Sequence, residues 1–259
     1  MESCDLKAVI LSAGQGRRLL PLTRNVPKCA LNISGRAILH WQIEVLRDAG
    51  VDEIVVVLGH GAKHVEALLA RHPDCARVRV LYNPFHGVSD NLASAWLASP
   101  EMDGDFILMN GDTLFEAEVV RRLLASPDAP ITVTVDKKDE YDDDDMRVKL
   151  DGVTMQRIGK HLRPSETHAE SIGMLLFRGE GPARFRWALE RMVRKPEALE
   201  QWYLSVIDDL AQSGIVTTEC IRGLRWAEVD TPADLDDAAA VLAPRARRAR
   251  RARAAEGNG

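Results

Sequence analysis

The chain is expected to fold as an α/β protein around a doubly wound, mostly parallel central sheet, and three observations predict it. Short apolar runs at 7–11, 54–58 and 106–109 end in glycine or polar turns, as strands do. The run at 54–58 is polar on neither face, which suits a parallel strand covered by helices on both sides. Segments with helical apolar spacing lie between them, and this alternation argues for an open, layered sheet.

Taken in order, 7–11 forms the first strand and a small-residue turn follows it. A helix over 38–49 has apolar residues at 38, 39, 41, 43, 45, 46 and 49, with Gly50 as its stop. The strand at 54–58 is β-branched; a helix at 63–70, a strand at 78–81, a helix at 92–98 and a strand at 106–109 continue the alternation. The second half is less regular. It has a strand at 131–135, an acidic turn at 139–146, short strands around Val148 and at 155–158 joined at Asp151-Gly152, and a strand at 172–177. Helices are expected at 183–194 and 202–212, a strand at 216–221, a closing segment at 227–230, and a last helix opened by Pro232.

With 259 residues and 46% apolar content the chain can bury one substantial core. No run approaches the ~20 apolar residues of a membrane span. The acidic start Met1-Glu-Ser-Cys-Asp lacks signal-peptide character, so a cytoplasmic location is expected. Cys4, Cys29, Cys75 and Cys220 show no Cys-x-x-Cys spacing and read as reduced thiols. Cys29 stands out because a neighbouring Lys28 could lower its pKa. His86, His161 and His168 lack zinc-ligand spacing. Net charge is −5, yet residues 245–253 hold six arginines. A basic tail on an acidic body can bind nucleic acid or an anionic surface; this Ala/Arg stretch ends in Glu-Gly-Asn-Gly and reads as a frayed extension, so nucleic acid is not an expected partner.

The loop after the first strand is the most informative stretch. It reads Ala13-Gly14-Gln15-Gly16-Arg17-Arg18-Leu19, followed by Pro21-Leu22-Thr23 and Pro27-Lys28. A dinucleotide fingerprint needs a third glycine where Leu19 stands, and a P-loop needs Gly-Lys-Ser/Thr, which is absent. Backbone N–H groups of such a loop can hold a polyanion, and Arg17, Arg18, Arg24 and Lys28 add cations. Asn110-Gly111-Asp112 places a carboxylate just past a buried strand, and Glu228-Val229-Asp230 places another near the end. Each aspartate could equally cap a turn or helix.

The complete loop pattern resembles the signature of nucleotidyltransferases that join a nucleoside triphosphate to a sugar phosphate, choline phosphate or related acceptor. The resemblance implies a Rossmann-like sheet with an inserted acceptor-binding lobe and spans the chain to about Leu242. It divides residues 1–242 into a nucleotide-binding half (1–130), an acceptor lobe (131–215) and a closing strand and helix (216–242), with 243–259 as a flexible tail. It implies Mg²⁺ held by Asp112 and Asp230, with Arg18 and Lys28 as the catalytic cations. Leu11, Ala13, Gly14, Gly16, Arg17 and Asp112 would contact the nucleotide. Residues 83–94 resemble a base-reading segment of cytidylyltransferases, which puts Asp90, Asn91 and Ser94 at the base; Ser89 or Asp90 could also cap the helix that follows.

Stretches at 136–138, 141–149, 170–174 and 202–208 resemble cytidylyltransferases for phosphocholine, inositol 1-phosphate and aminoalkylphosphonates. Lys149 is expected to neutralise the acceptor phosphate, and Glu170 and Asp208 to bind hydroxyls or an ammonium. Four consecutive aspartates at 142–145 read as a solvated loop. Trp202 and Tyr203 are candidate rings for a quaternary ammonium, too few for a cage. The expected partners are therefore CTP and a small phosphorylated alcohol, cyclitol or phosphonate, with homo-oligomerisation left open. Two other readings remain: a sugar- or cyclitol-1-phosphate enzyme using GTP, UTP, dTTP or ATP, and a catalytically silent nucleotide-binding regulatory subunit.

Overall fold

The computed structural model describes residues 6–243. Cys4 and the arginine-rich stretch at 245–253 lie outside the described residues. The elements run β1 (Lys7–Ser12), β2 (Asn32–Ile33), β3 (Arg36–Ala37), α1 (Ile38–Asp48), β4 (Glu53–Leu58), α2 (Ala62–Leu69), β5 (Val78–Tyr82) and α3 (Asn91–Leu97). They continue through β6 (Phe106–Asn110), β7 (Thr113–Phe115), α4 (Ala117–Leu124), β8 (Ile131–Asp136), β9 (Arg147–Asp151), β10 (Thr154–Ile158) and β11 (Ala169–Phe177). Last come α5 (Gly181–Val193), α6 (Leu204–Ala211), β12 (Val216–Cys220) and β13 (Trp226–Glu228), with residues 234–243 helical.

Nine strands form one sheet in the order β5-β4-β1-β6-β11-β8-β12-β10-β9. Because side chains alternate across a strand, its apolar runs feed two cores. Val9, Leu11, Val55, Val57 and Leu108 pack on one face with Leu92 of α3, Phe185 and Leu189 of α5 and Ile207 of α6. Ala8, Ile10, Val56, Leu58 and Met109 pack on the other with Ile43 of α1, Val65 of α2 and Val120 of α4. Helices on both faces give the doubly wound arrangement.

The expected parallel character holds only in part. β5, β4, β1 and β6 are mutually parallel, and β12 is parallel to β8. β11 runs antiparallel to both β6 and β8, and β10 antiparallel to β12 and β9. The sheet is therefore mixed. The burial pattern explains why sequence missed this: β11 is buried along its whole length, and an apolar run such as 172–177, covered on both faces, looks the same in either direction. The strands expected in the acceptor region extend the central sheet instead of forming one of their own.

Two local features aim side chains at the carboxyl ends of the parallel strands. Gly173 has φ +71°, and a Cβ there would fall 2.3 Å from Asn110 Nδ2. Register shifts between Ser171 and Leu175 at this glycine, so the start of β11 bends away to pair with β9. Residues 234–243 pack through Ala238, Val241 and Leu242 on Leu19, Trp41, Leu114 and Val229, tying this last described helix to the first loop. No helix of the described residues is long and apolar enough to cross a membrane.

Candidate functional site

The loop after β1 turns on Gly16, whose φ of +69° is the left-handed region that glycine enters freely. Its carbonyl accepts from Leu19 N at 3.0 Å and from the buried Thr23 Oγ1 at 2.8 Å, which fixes the basic turn that follows. A Cβ on Gly16 would lie 3.1 Å from Lys28 Cβ. The Lys28 stem thus packs against the glycine, leaving its side chain only 11% exposed.

Asp112 reaches the same place from β6. Gly111 N donates to Leu11 O at 2.9 Å, and a Cβ on Gly111 would meet Ser12 Oγ at 2.0 Å. Only glycine lets the two strand ends approach this closely. Asp230 arrives from the far end of the chain because β13 pairs antiparallel with β7, Glu228 opposite Thr113. Val229 N donates to Asp112 O at 3.1 Å, and Asp234 Oδ2 accepts from the N–H groups of Asp230 and Thr231 at 2.8 and 2.6 Å. Asp234 makes these turn contacts, which frees the Asp230 carboxylate.

The four charges converge. Lys28 Nζ lies 2.8 Å from Asp112 Oδ2 and 2.5 Å from Asp230 Oδ1. Arg18 bridges Asp230 Oδ2 at 2.5 Å and Asp144 Oδ2 at 2.6 Å. Burial opposes the charge on Lys28, but Asp112 and Asp230 outweigh it and raise its pKa above the usual lysine value. Glu228 keeps an exposed surface at this edge; the protein packed around its carboxyl and the neighbouring Asp112 and Asp230 carboxylates push its pKa upward.

The residues present fit a divalent cation. Among the described residues no three His, Cys, Asp or Glu side chains form a ready-made metal cage. Magnesium on a triphosphate takes one or two carboxylates and completes its shell with phosphate oxygens and water. Asp112 Oδ1 is buried without a hydrogen-bond partner, a hard oxygen of the type such an ion uses.

Leu11, Ala13, Gly14, Asp90, Asn91 and Ser94 line a cavity of about 150 Å³. Gly14, Arg17 and Asp90 also line a neighbouring cavity of about 480 Å³. Asp90 stands at the N-terminus of α3 but makes no side-chain cap there, so its carboxylate stays available to the cavity. Asn91 is partly committed, its Oδ1 accepting from Tyr203 N at 2.9 Å. Asn83 was not singled out from sequence and sits behind Ser94. It is 1% exposed, donates from Nδ2 to Ser94 Oγ at 3.0 Å, and accepts at Oδ1 from Phe85 N at 2.8 Å. Its position just beyond the carboxyl end of β5 was the available signal, since ligands of open sheets bind there.

Of the expected acceptor residues, Glu170 alone lines the cavity of about 620 Å³ that also contains Arg18 and Asp230. Lys149 points instead to Glu166, Nζ to Oε1 3.1 Å. Asp208 is held by Arg157 Nε at 2.9 Å and by Ile158 N at 2.8 Å, tying α6 to β10. Neither lines that cavity. Trp202 belongs to the smaller cavity and Tyr203 to the core. Burial pushes the Cys29 thiol up to about 12, the opposite of the lowering expected beside Lys28. Sequence reasoning also missed Lys138 and singled out neither Asp144 nor Asp145 within the acidic turn, although all three line the large cavity.

Glu170 is 2% exposed; burial, then the neighbouring Asp145 carboxyl, push its pKa up to about 8 against the pull of Lys138. The folded chain therefore binds this proton more tightly than the unfolded chain, and stability should fall as pH rises from about 4.5 to about 8. Thermal unfolding in magnesium-free buffer checks this: Glu170→Gln should flatten the wild-type decline, and an unchanged slope would show that Glu170 does not titrate there.

Comparison with known proteins places this chain in a family. CMP-5'-(3-aminopropyl)phosphonate synthase of Streptomyces rubellomurinus is 30% identical over 242 residues, covering 90% of this chain and 38% of the relative. The bifunctional IPC transferase and DIPP synthase of Aquifex aeolicus is 28% identical over 234 residues, covering 89% of this chain and 50% of the relative. The chain thus spans half or less of the length of these relatives. Among solved structures, the inositol-1-phosphate CTP transferase of T. maritima superposes with a TM-score of 0.75 at 18% identity, covering 93% of this chain and 98% of that one. The CTP:phosphocholine cytidylyltransferase of Streptococcus pneumoniae gives 0.74 at 20%, covering 92% and 99%. These structural likenesses show the fold. The profile described as MobA-like NTP transferase domain matches residues 8–193, from β1 and its loop to the end of α5, and the chain belongs to that family.

Proposed function

We propose that this protein transfers CMP from CTP to a small phosphorylated alcohol, cyclitol or phosphonate and releases pyrophosphate. The observation that carries the reading is the meeting of Lys28 with Asp112 and Asp230, and of Arg18 with Asp230, at the ends of the parallel strands. An acceptor oxyanion attacks the α-phosphorus in line, so the protein's task is to position the reactants and neutralise charge. Backbone N–H groups of residues 13–16 hold the phosphates and Arg18 meets the β- and γ-phosphates. Lys28 stabilises charge growing on the α-phosphate. Asp112 and Asp230 hold Mg²⁺, which when bound supplies Lewis-acid neutralisation of the phosphate oxygens. Both cations leave their carboxylate partners for phosphate oxygens as the nucleotide enters.

The cavity at Ser94 supports a pyrimidine triphosphate, and the cytidylyltransferase relatives favour CTP among these. Its volume of about 150 Å³ suits a single-ring base, and Asn83 occupies Ser94 Oγ as acceptor, leaving the hydroxyl proton for a base acceptor. Residues 1–130 carry the nucleotide side and 131–215 the acceptor side in this reading. Incubation with Mg²⁺, each of the common triphosphates and a panel of phosphorylated acceptors should release pyrophosphate fastest with CTP. Preference for GTP or dTTP would overturn the base assignment and leave the reaction type standing.

A further inference from the structure

Residues 199–203, on the acceptor side of the chain, are laced to the start of α3. Asp90 N donates to Leu199 O at 2.7 Å, Leu92 N to Gln201 O at 3.2 Å, and Tyr203 N to Asn91 Oδ1 at 2.9 Å. Tyr203 is itself fully buried, so this strap is anchored in the core at its far end. The contacts fix Trp202 beside the start of α3, and its ring lines the cavity of about 150 Å³ with Asn83, Asp90 and Ser94. The ring is 39% exposed, a large apolar surface open to water at the wall of a ligand cavity. Lys160 Nζ lies 5.2 Å from its centroid and 3.1 Å from Asp144 Oδ1, and Asp144 in turn holds Arg18.

We propose that Trp202 is a stacking platform for the nucleotide base. The inference rests on the nucleotidyl-transfer reading above and adds a binding residue that lies beyond residues 8–193, the part the family profile matches. The surroundings favour a base over an acceptor head group. A cationic head group would meet the Lys160 ammonium already placed over this ring, whereas a neutral base would not. The cavity has the size of a single ring, and its polar groups, the Ser94 hydroxyl and an Asp90 carboxylate that makes no cap bond, suit the edge of a base. The large cavity that holds Glu170 and Asp230 does not include Trp202. A π-face accepts every base, so stacking supplies affinity and leaves the choice of base to groups at its edge. The nucleotide site then takes walls from both halves of the chain, joined through the strap.

Fluorescence and calorimetric titration of the full chain with Mg²⁺ and CTP, without acceptor, tests the platform. A stacked base should quench Trp202, so Trp202→Phe should lose most of the emission change while binding CTP within about threefold of wild type, since a smaller ring still stacks. Trp202→Leu keeps an apolar cover without a π-face and should bind CTP about tenfold more weakly. Its KM for CTP should rise by the same factor, with kcat and the KM for the acceptor changed little, and UTP binding should weaken in the same proportion. Wild-type CTP affinity in Trp202→Leu, or a loss confined to the KM for the acceptor, overturns the proposal. If wild type prefers another triphosphate and Trp202→Leu loses that binding, the platform stands and the cytidylyl reading falls. If CTP binds and quenches but no acceptor reacts, the platform stands and the transfer reading falls. If no triphosphate binds wild type, both fall.

Discussion

Asp112→Asn is expected to abolish turnover, lowering kcat by about 10³-fold or more, since a metal-held charge contributes several kcal/mol to such a transition state. The substitution keeps the size of the side chain. The tight Gly111 turn on Ser12 and the Lys28–Asp230 contact are untouched, so the fold should survive. Pyrophosphate release measures the loss. Tightening of CTP binding by magnesium, measured by calorimetry, should shrink in parallel. A variant that keeps wild-type kcat would remove Asp112 from the reaction.

Lys28→Met should lower kcat by about 10²- to 10³-fold, the range for removing one preorganised group from developing oxyanion charge. KM for CTP should move much less, because Arg18 and the loop N–H groups still hold the outer phosphates. The same change leaves Asp112 and Asp230 facing each other without the ammonium they share. Stability in magnesium-free buffer should therefore drop, and magnesium with CTP should restore more of it to the variant than to wild type. Equal losses in kcat and in CTP affinity would assign Lys28 to ground-state binding instead.

The parts of this account that were legible in the sequence are those with narrow chemical requirements. The turn after β1 must bring backbone against phosphate and then present cations, so its glycines, Arg18 and Lys28 could be picked out. Gly111 stood in the sequence only as the residue before Asp112; that any larger residue there would collide with Ser12 emerges from the fold. Charges on regular elements carried less information. Lys149 and Asp208 have residue types that suit an anionic or hydroxylated ligand, but nothing local says which cavity a strand or helix face will meet, and both are spent on ion pairs. The acidic turn at 142–145 looked like solvent-facing chain, and only the fold reveals that Asp144 reaches Arg18. β7 is three residues long and depends on β13, more than a hundred positions away, so no local pattern marks it. By contrast α4 has apolar residues at 119, 120, 123 and 124, a helical spacing that the sequence reading passed over.

A crystal structure of the protein with Mn²⁺ and a non-hydrolysable CTP analogue is the most direct test. An anomalous peak between Asp112 and Asp230, with the triphosphate lying against Arg18 and Lys28, is the predicted result. A triphosphate seated in another cavity, with Lys28 still closed on the two aspartates, would contradict the account.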